Sequence, residues 1–152
     1  MKIDKLSFQL GMINCFAEMV ACGVKKLAIS PPLKPEDYEK ISRFSDEIVQ
    51  GFGIQSYLEK SLLITDLQSA EFTQGKWSIL YYEKDDILKE YLALKEKKQK
   101  LVELGQYDIK ARKEISWEFM RLLSYPDEKI EEKLSLKNSK DPYLISLDEK
   151  NE

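Results

Sequence analysis

The sequence predicts an α+β fold that is predominantly α-helical, with about five helices and a small antiparallel β-hairpin in the middle; an all-α arrangement is the alternative. Three observations carry this. Apolar residues recur at three- and four-residue spacing in the first 50 residues and again from residue 85 onward, the period of a helix with one buried face. The 6 Gly and 5 Pro of the 152 residues fall mostly between the predicted helices or at their first residues, where chain reversals and helix starts accept them. Between residues 54 and 82 the helical period weakens, and Leu62-Leu63-Ile64-Thr65 and Trp77-Ser78-Ile79-Leu80-Tyr81-Tyr82 bring in side chains that favour strands.

Taken in order, residues 4–22 form the first predicted helix, with Leu6, Leu10, Ile13, Phe16, Ala17 and Val20 at helical spacing. Phe8, Met12, Cys15, Met19 and Cys22 spread the apolar surface almost all the way round, which suits a helix central to the fold or covered by a second copy. Gly23 fits the position just past its end. Leu27-Ala28-Ile29 is a candidate short strand, and Pro31-Pro32 enforces extended backbone after it. Pro35 suits the first turn of a second helix, with Glu36 and Asp37 complementing its dipole. Tyr38, Ile41, Phe44, Ile48 and Val49 give that helix an apolar face, and Gly51 and Gly53 end it.

The two β-favouring runs pair as the hairpin, with the loop over 69–75 and the turn at Gln74-Gly75, unless both runs are helical. Asp85 or Asp86 caps the next helix, and Gly105 stops it. The short Gly105-Gln106-Tyr107 connection makes it an antiparallel partner of a helix over 108–124. Pro126 opens a short fifth helix anchored by Ile130 and Leu134. Residues 1–136 are thus expected as one globular domain, and 137–152 as a tail docked at most through Tyr143, Leu144, Ile145 and Leu147.

Composition excludes several classes of function. A net charge of −3 lacks the basic excess of a general nucleic-acid binder. The absence of histidine removes Ser-His-Asp and Cys-His catalysis and an ordinary structural zinc site from within the chain. Gln9, Asn14 and Glu18 interrupt the early apolar run, so it does not read as a secretory leader. No stretch reaches the roughly 18 apolar residues of a membrane span. With two cysteines and no leader, the expected compartment is the cytoplasm. No phosphate-cradling or nucleophile motif occurs, and no cofactor is expected.

One polar stripe stands out. Ser7, Gly11, Asn14 and Glu18 fall in a narrow line on the first helix, and Glu18 is the single charge between Leu6 and Val24. The line either touches water or faces a cleft in which Glu18 acts as a paired or proton-transferring carboxylate. Asn14, Glu18, Lys26, Asp66 and Lys76 are the candidate cleft residues, with Lys25 as a further neighbour. Cys15 and Cys22 lie about 10 Å apart along a helix, too far for a disulfide between them. From 95 to 113 there are seven basic and three acidic residues on a helical hairpin expected to project into solvent.

These features point first to a non-catalytic interaction or scaffold module that self-associates, most simply as a homodimer, with a further protein partner as an option. Nucleic acid is disfavoured by charge and no membrane partner is expected. The competing readings are a small enzyme or ligand-binding protein with a cleft at Glu18, and RNA binding through the basic hairpin.

Overall fold

The computed structural model describes residues 1–67 and 70–135. The elements follow in the order α1 (Lys5–Ala21), β1 (Leu27–Ile29), α2 (Pro35–Phe52), β2 (Gln55–Glu59), α3 (Ala70–Thr73), β3 (Ser78–Tyr82), α4 (Asp85–Glu103), α5 (Ile109–Leu122) and α6 (Asp127–Ser135). The fold is predominantly helical α+β, with a three-stranded antiparallel sheet in the order β1-β3-β2.

Local chemistry sets the helix ends. Asp4 caps α1 by accepting a 2.8 Å hydrogen bond from the Ser7 backbone N–H; the Ser7 side chain first, and this N–H second, hold its carboxyl below the usual range. Gly53 closes α2 in the left-handed conformation at φ 67°, a backbone that costs glycine little; Gly51 lies inside the helix. Gly105, at φ 66°, reverses the chain between α4 and α5. Asp108 then caps α5 through the Ala111 N–H at 2.8 Å. Lys84, not Asp85 or Asp86, is the N-cap of α4; both aspartates sit in its first turn, where they complement the helix dipole.

The sheet divides the apolar interior in two. Ile79 and Tyr81 of β3, with Ala28 of β1, pack against Ile13, Ala17 and Val20 of α1 and Ile41 and Val49 of α2. Leu80 and Tyr82, with Leu27 and Ile29, face Tyr91 and Leu94 of α4, Ile115 and Phe119 of α5 and Ile130 of α6. This alternation is the period-two geometry of a strand. Every residue of β3 is buried because helices cover both of its faces and strands both of its edges. The Tyr81 hydroxyl meets Ser45 Oγ at 2.9 Å, satisfying two buried hydroxyls together.

The expected partner of β3 differs. Residues 62–65 do not form a strand; the outer strand is the more polar Gln55–Glu59, and Leu27–Ile29 pairs along the other edge of β3. Leu62 and Leu63 are buried in an irregular segment that packs on α4 and α5. Its backbone bonds to helix side chains: the Leu63 N–H donates to Tyr91 Oη at 3.1 Å and the Asp66 N–H to Ser116 Oγ at 3.2 Å. An apolar run therefore marks burial, not strand pairing. A short α3 occupies part of the expected loop. The expected tail contacts lie outside the described residues.

Gln9 is buried in α1, and its Oε1 accepts no hydrogen bond among the described residues. Burying an unmatched carbonyl costs on the order of 1–3 kcal/mol. Gln9→Leu is expected to raise unfolding stability by about 1 kcal/mol, read as a higher urea midpoint at unchanged slope; a lower midpoint would contradict the assignment.

Candidate binding surface

Helices α1 and α2 lie side by side on one face of the sheet, and Lys5 and Asp37 approach to 3.9 Å between them. Away from the sheet they leave an open groove of about 530 Å³. Leu10 and Asn14 of α1 line one side; Phe44, Glu47, Ile48, Gly51 and Phe52 of α2 line the other. Phe44 is 52% exposed. Gly51 has room for a Cβ, with nothing within 4 Å, so the absence of a side chain there leaves the groove open. The rim is charged on the α2 side only, by Glu47, which pairs with Arg43 across one helical turn at 3.2 Å.

The polar stripe of α1 touches this groove at one residue. Ser7, Gly11, Asn14 and Glu18 are all exposed, and Asn14 is the member that lines the cavity. Glu18 lies in solvent and makes no ion pair among the described residues. The other cleft candidates are dispersed. Lys26 donates its backbone N–H to Ser124 Oγ at 2.8 Å beside the α5–α6 corner. Lys76 stacks over Phe72 at 5.6 Å. Asp66 is committed to Arg112, whose Nη2 and Nε reach Oδ1 at 2.6 and 2.7 Å. Lys25 lies over the Tyr125 ring at 5.6 Å, and burial lowers its proton affinity. Cys15 and Cys22 are free and exposed.

The densest charged cluster is one that sequence reasoning missed. Glu59, 3% exposed at the end of β2, accepts from Tyr91 Oη at 2.7 Å, from Lys95 Nζ at 3.0 Å on both oxygens, and from the Ser61 N–H at 2.8 Å. Lys98 Nζ donates to the Ile64 carbonyl at 2.6 Å, and desolvation lowers its proton affinity. With Asp66–Arg112 these contacts clamp the segment after β2 onto α4 and α5. The Glu59 carboxylate is occupied by donors on both oxygens, and a group so occupied is suited to holding structure. A single Glu, Tyr and Lys spread over 36 residues leave no local motif to find.

No protein-family model, curated protein or solved structure matches the chain. No helix among the described residues is long and apolar enough to cross a membrane.

Two predictions follow from the polar clusters. Lys95→Met leaves Glu59 without its cation and is expected to cost about 2 kcal/mol, below the usual range for a buried pair because the lysine is one-third exposed. Adding Glu59→Gln should recover part of that loss in urea unfolding; a double variant weaker than the sum of the two singles would contradict the pairing. Tyr81 and Tyr91 are held protonated above the ordinary value of 10.0, chiefly by burial. Because the folded-state values are raised, stability is full below pH 10 and falls as pH rises through it, by about 1.4 kcal/mol per pH unit for each tyrosine. Tyr81→Phe should make that alkaline slope shallower by one such contribution.

Proposed function

We propose that this protein is a non-catalytic interaction module that self-associates through the outer groove of α1 and α2. The observation that carries this reading is the groove itself: an open apolar trough beside a half-exposed phenylalanine. An aromatic side chain left that exposed at the mouth of an apolar cavity is the kind of anchor that interfaces bury. The adjoining face of α1 adds almost no charge that a partner would have to desolvate, since Ser7, Gly11 and Asn14 are neutral and Glu18 stands alone. The two helices have 17 and 18 residues. At about 1.5 Å per residue and about 10 Å in width each, they offer roughly 500 Å² of projected face. That is the scale on which an interface of about 800 Å² of accessible surface per partner is built.

The enzyme reading draws no comparable support, because Glu18 is exposed and the other candidates do not converge on it. The expectations of a cytoplasmic location and of a single domain over 1–136 belong to this same reading.

Sedimentation velocity across a concentration series tests the proposal. The wild-type chain is expected to reach at least twice its 17.8 kDa mass. Phe44→Asp, which puts charge at the mouth, and Gly51→Leu, which fills the groove within a helix that accepts leucine, should each weaken association at least about tenfold. A wild-type chain that stays monomeric throughout the series would sink the reading.

A further inference from the structure

We propose that the outer edge of β2 pairs with β2 of a second copy about a two-fold axis, joining the two sheets into one antiparallel sheet. The contact is separate from the groove of α1 and α2 and does not depend on it. Used together, the two contacts carry assembly beyond a dimer.

The backbone of β3 determines which groups of β2 are left over. The Ser30 N–H donates to the Ile79 carbonyl at 2.9 Å, and Leu33 and Trp77 exchange bonds at 2.8 Å. Trp77, Ile79 and Tyr81 therefore turn their N–H and C=O groups toward β1. Ser78, Leu80 and Tyr82 turn theirs toward β2, where they stand opposite Glu59, Tyr57 and Gln55. The N–H and C=O groups of Ser56 and Leu58 are left pointing out of the sheet. They find no partner among the described residues, and β2 ends the sheet on that side.

The strand is complementary to itself. Tyr57, 36% exposed, and Leu58 belong to neither apolar core. Edge strands are commonly guarded by lysine, proline or a bulge; residues 55–58 contain neither residue, and their register against β3 is unbroken. The one charge of the strand, Glu59, is buried and engaged by Tyr91 and Lys95. A two-fold axis at Tyr57 sets Ser56 opposite Leu58 of the second copy, and Leu58 opposite its Ser56. Every outward N–H and C=O of the strand then has a partner, and the two Tyr57 rings meet as a cross-strand aromatic pair. Gln55 faces Glu59 and Lys60 faces Ile54, so no like charges meet across the axis. Moving the axis to Ser56 or to Leu58 sets one outward residue opposite Ile54 or Lys60, outside the strand.

Disulfide trapping tests the register in the full chain carrying Cys15→Ser and Cys22→Ser, both at exposed positions. Tyr57 lies on the axis as a non-hydrogen-bonded pair, with Cα atoms about 4.5 Å apart, within reach of a disulfide. Gln55 shares that face but lies roughly 14 Å from its counterpart, at about 3.4 Å per residue. Tyr57→Cys is therefore expected to form a covalent dimer with diamide at least about tenfold faster than Gln55→Cys. Ser56→Pro removes an outward N–H at a position where an edge strand accepts proline; it should abolish the Tyr57→Cys dimer while circular dichroism keeps the parental spectrum. Phe44→Asp should leave trapping at the parental rate. Amide exchange reads the same contact in the unaltered chain: Gln55 and Tyr57 are protected at all concentrations, Ser56 and Leu58 only as concentration rises. Equal trapping at positions 55 and 57, loss of trapping with Phe44→Asp, or protection of Ser56 and Leu58 that ignores concentration overturns the inference. A Tyr57→Cys chain that stays monomeric leaves the edge to a strand from elsewhere and overturns it as well.

Discussion

Strand β3 constrains everything around it, because both faces and both edges of its five residues are used. Ile79 and Tyr81 belong to one core, Leu80 and Tyr82 to the other. A slip of one residue would exchange those sets and send a tyrosine hydroxyl away from Ser45, its buried partner. The register Ala28↔Tyr81 and Ser56↔Tyr81 therefore fixes the flanking strands and, through them, the two helical layers. The groove between α1 and α2 is a consequence: both helices dock on the sheet through their own apolar faces, and a trough is left between them on the solvent side.

The opposite layer is held in a different way. There the segment after β2 crosses α4 and α5 without regular structure, so its backbone groups need partners from side chains. Tyr91, Ser116 and Lys98 supply them, and the Glu59–Lys95 and Asp66–Arg112 pairs anchor the segment at two points. Charge buried this way is a device for placing a loop more than for adding stability. It also explains why half of the basic hairpin is quiet. Lys95, Lys97, Lys98 and Arg112 are engaged with the body of the protein, and Lys100 pairs with Glu96 along α4.

Much of the fold was legible in the sequence because it is encoded locally. The long helices follow from apolar spacing, Asp4 and Asp108 from capping chemistry, and the hairpin reversal from Gly105. Trp77 through Tyr82 was legible as a strand because it is apolar and β-branched or aromatic. The partner strand was not. Leu62 and Leu63 imitate a buried strand, while Gln55 to Glu59 is polar enough at an edge to look like a connection. Pairing is a non-local property, and only tertiary context distinguishes the two. Of the functional candidates, Asn14 lines the groove, but the α2 side was hidden: Phe44 reads as one more core residue in an amphipathic helix. The Glu59–Tyr91–Lys95 cluster left no trace because its members are contributed by separate elements.

The functional account comes down to whether the groove of α1 and α2 is a contact surface in solution. Backbone amide spectra recorded by NMR over a dilution series address this most directly. The account predicts concentration-dependent shifts at Leu10, Asn14, Phe44, Ile48 and Phe52, with β3 unchanged. Spectra invariant with concentration, or shifts that leave the groove untouched, would contradict it.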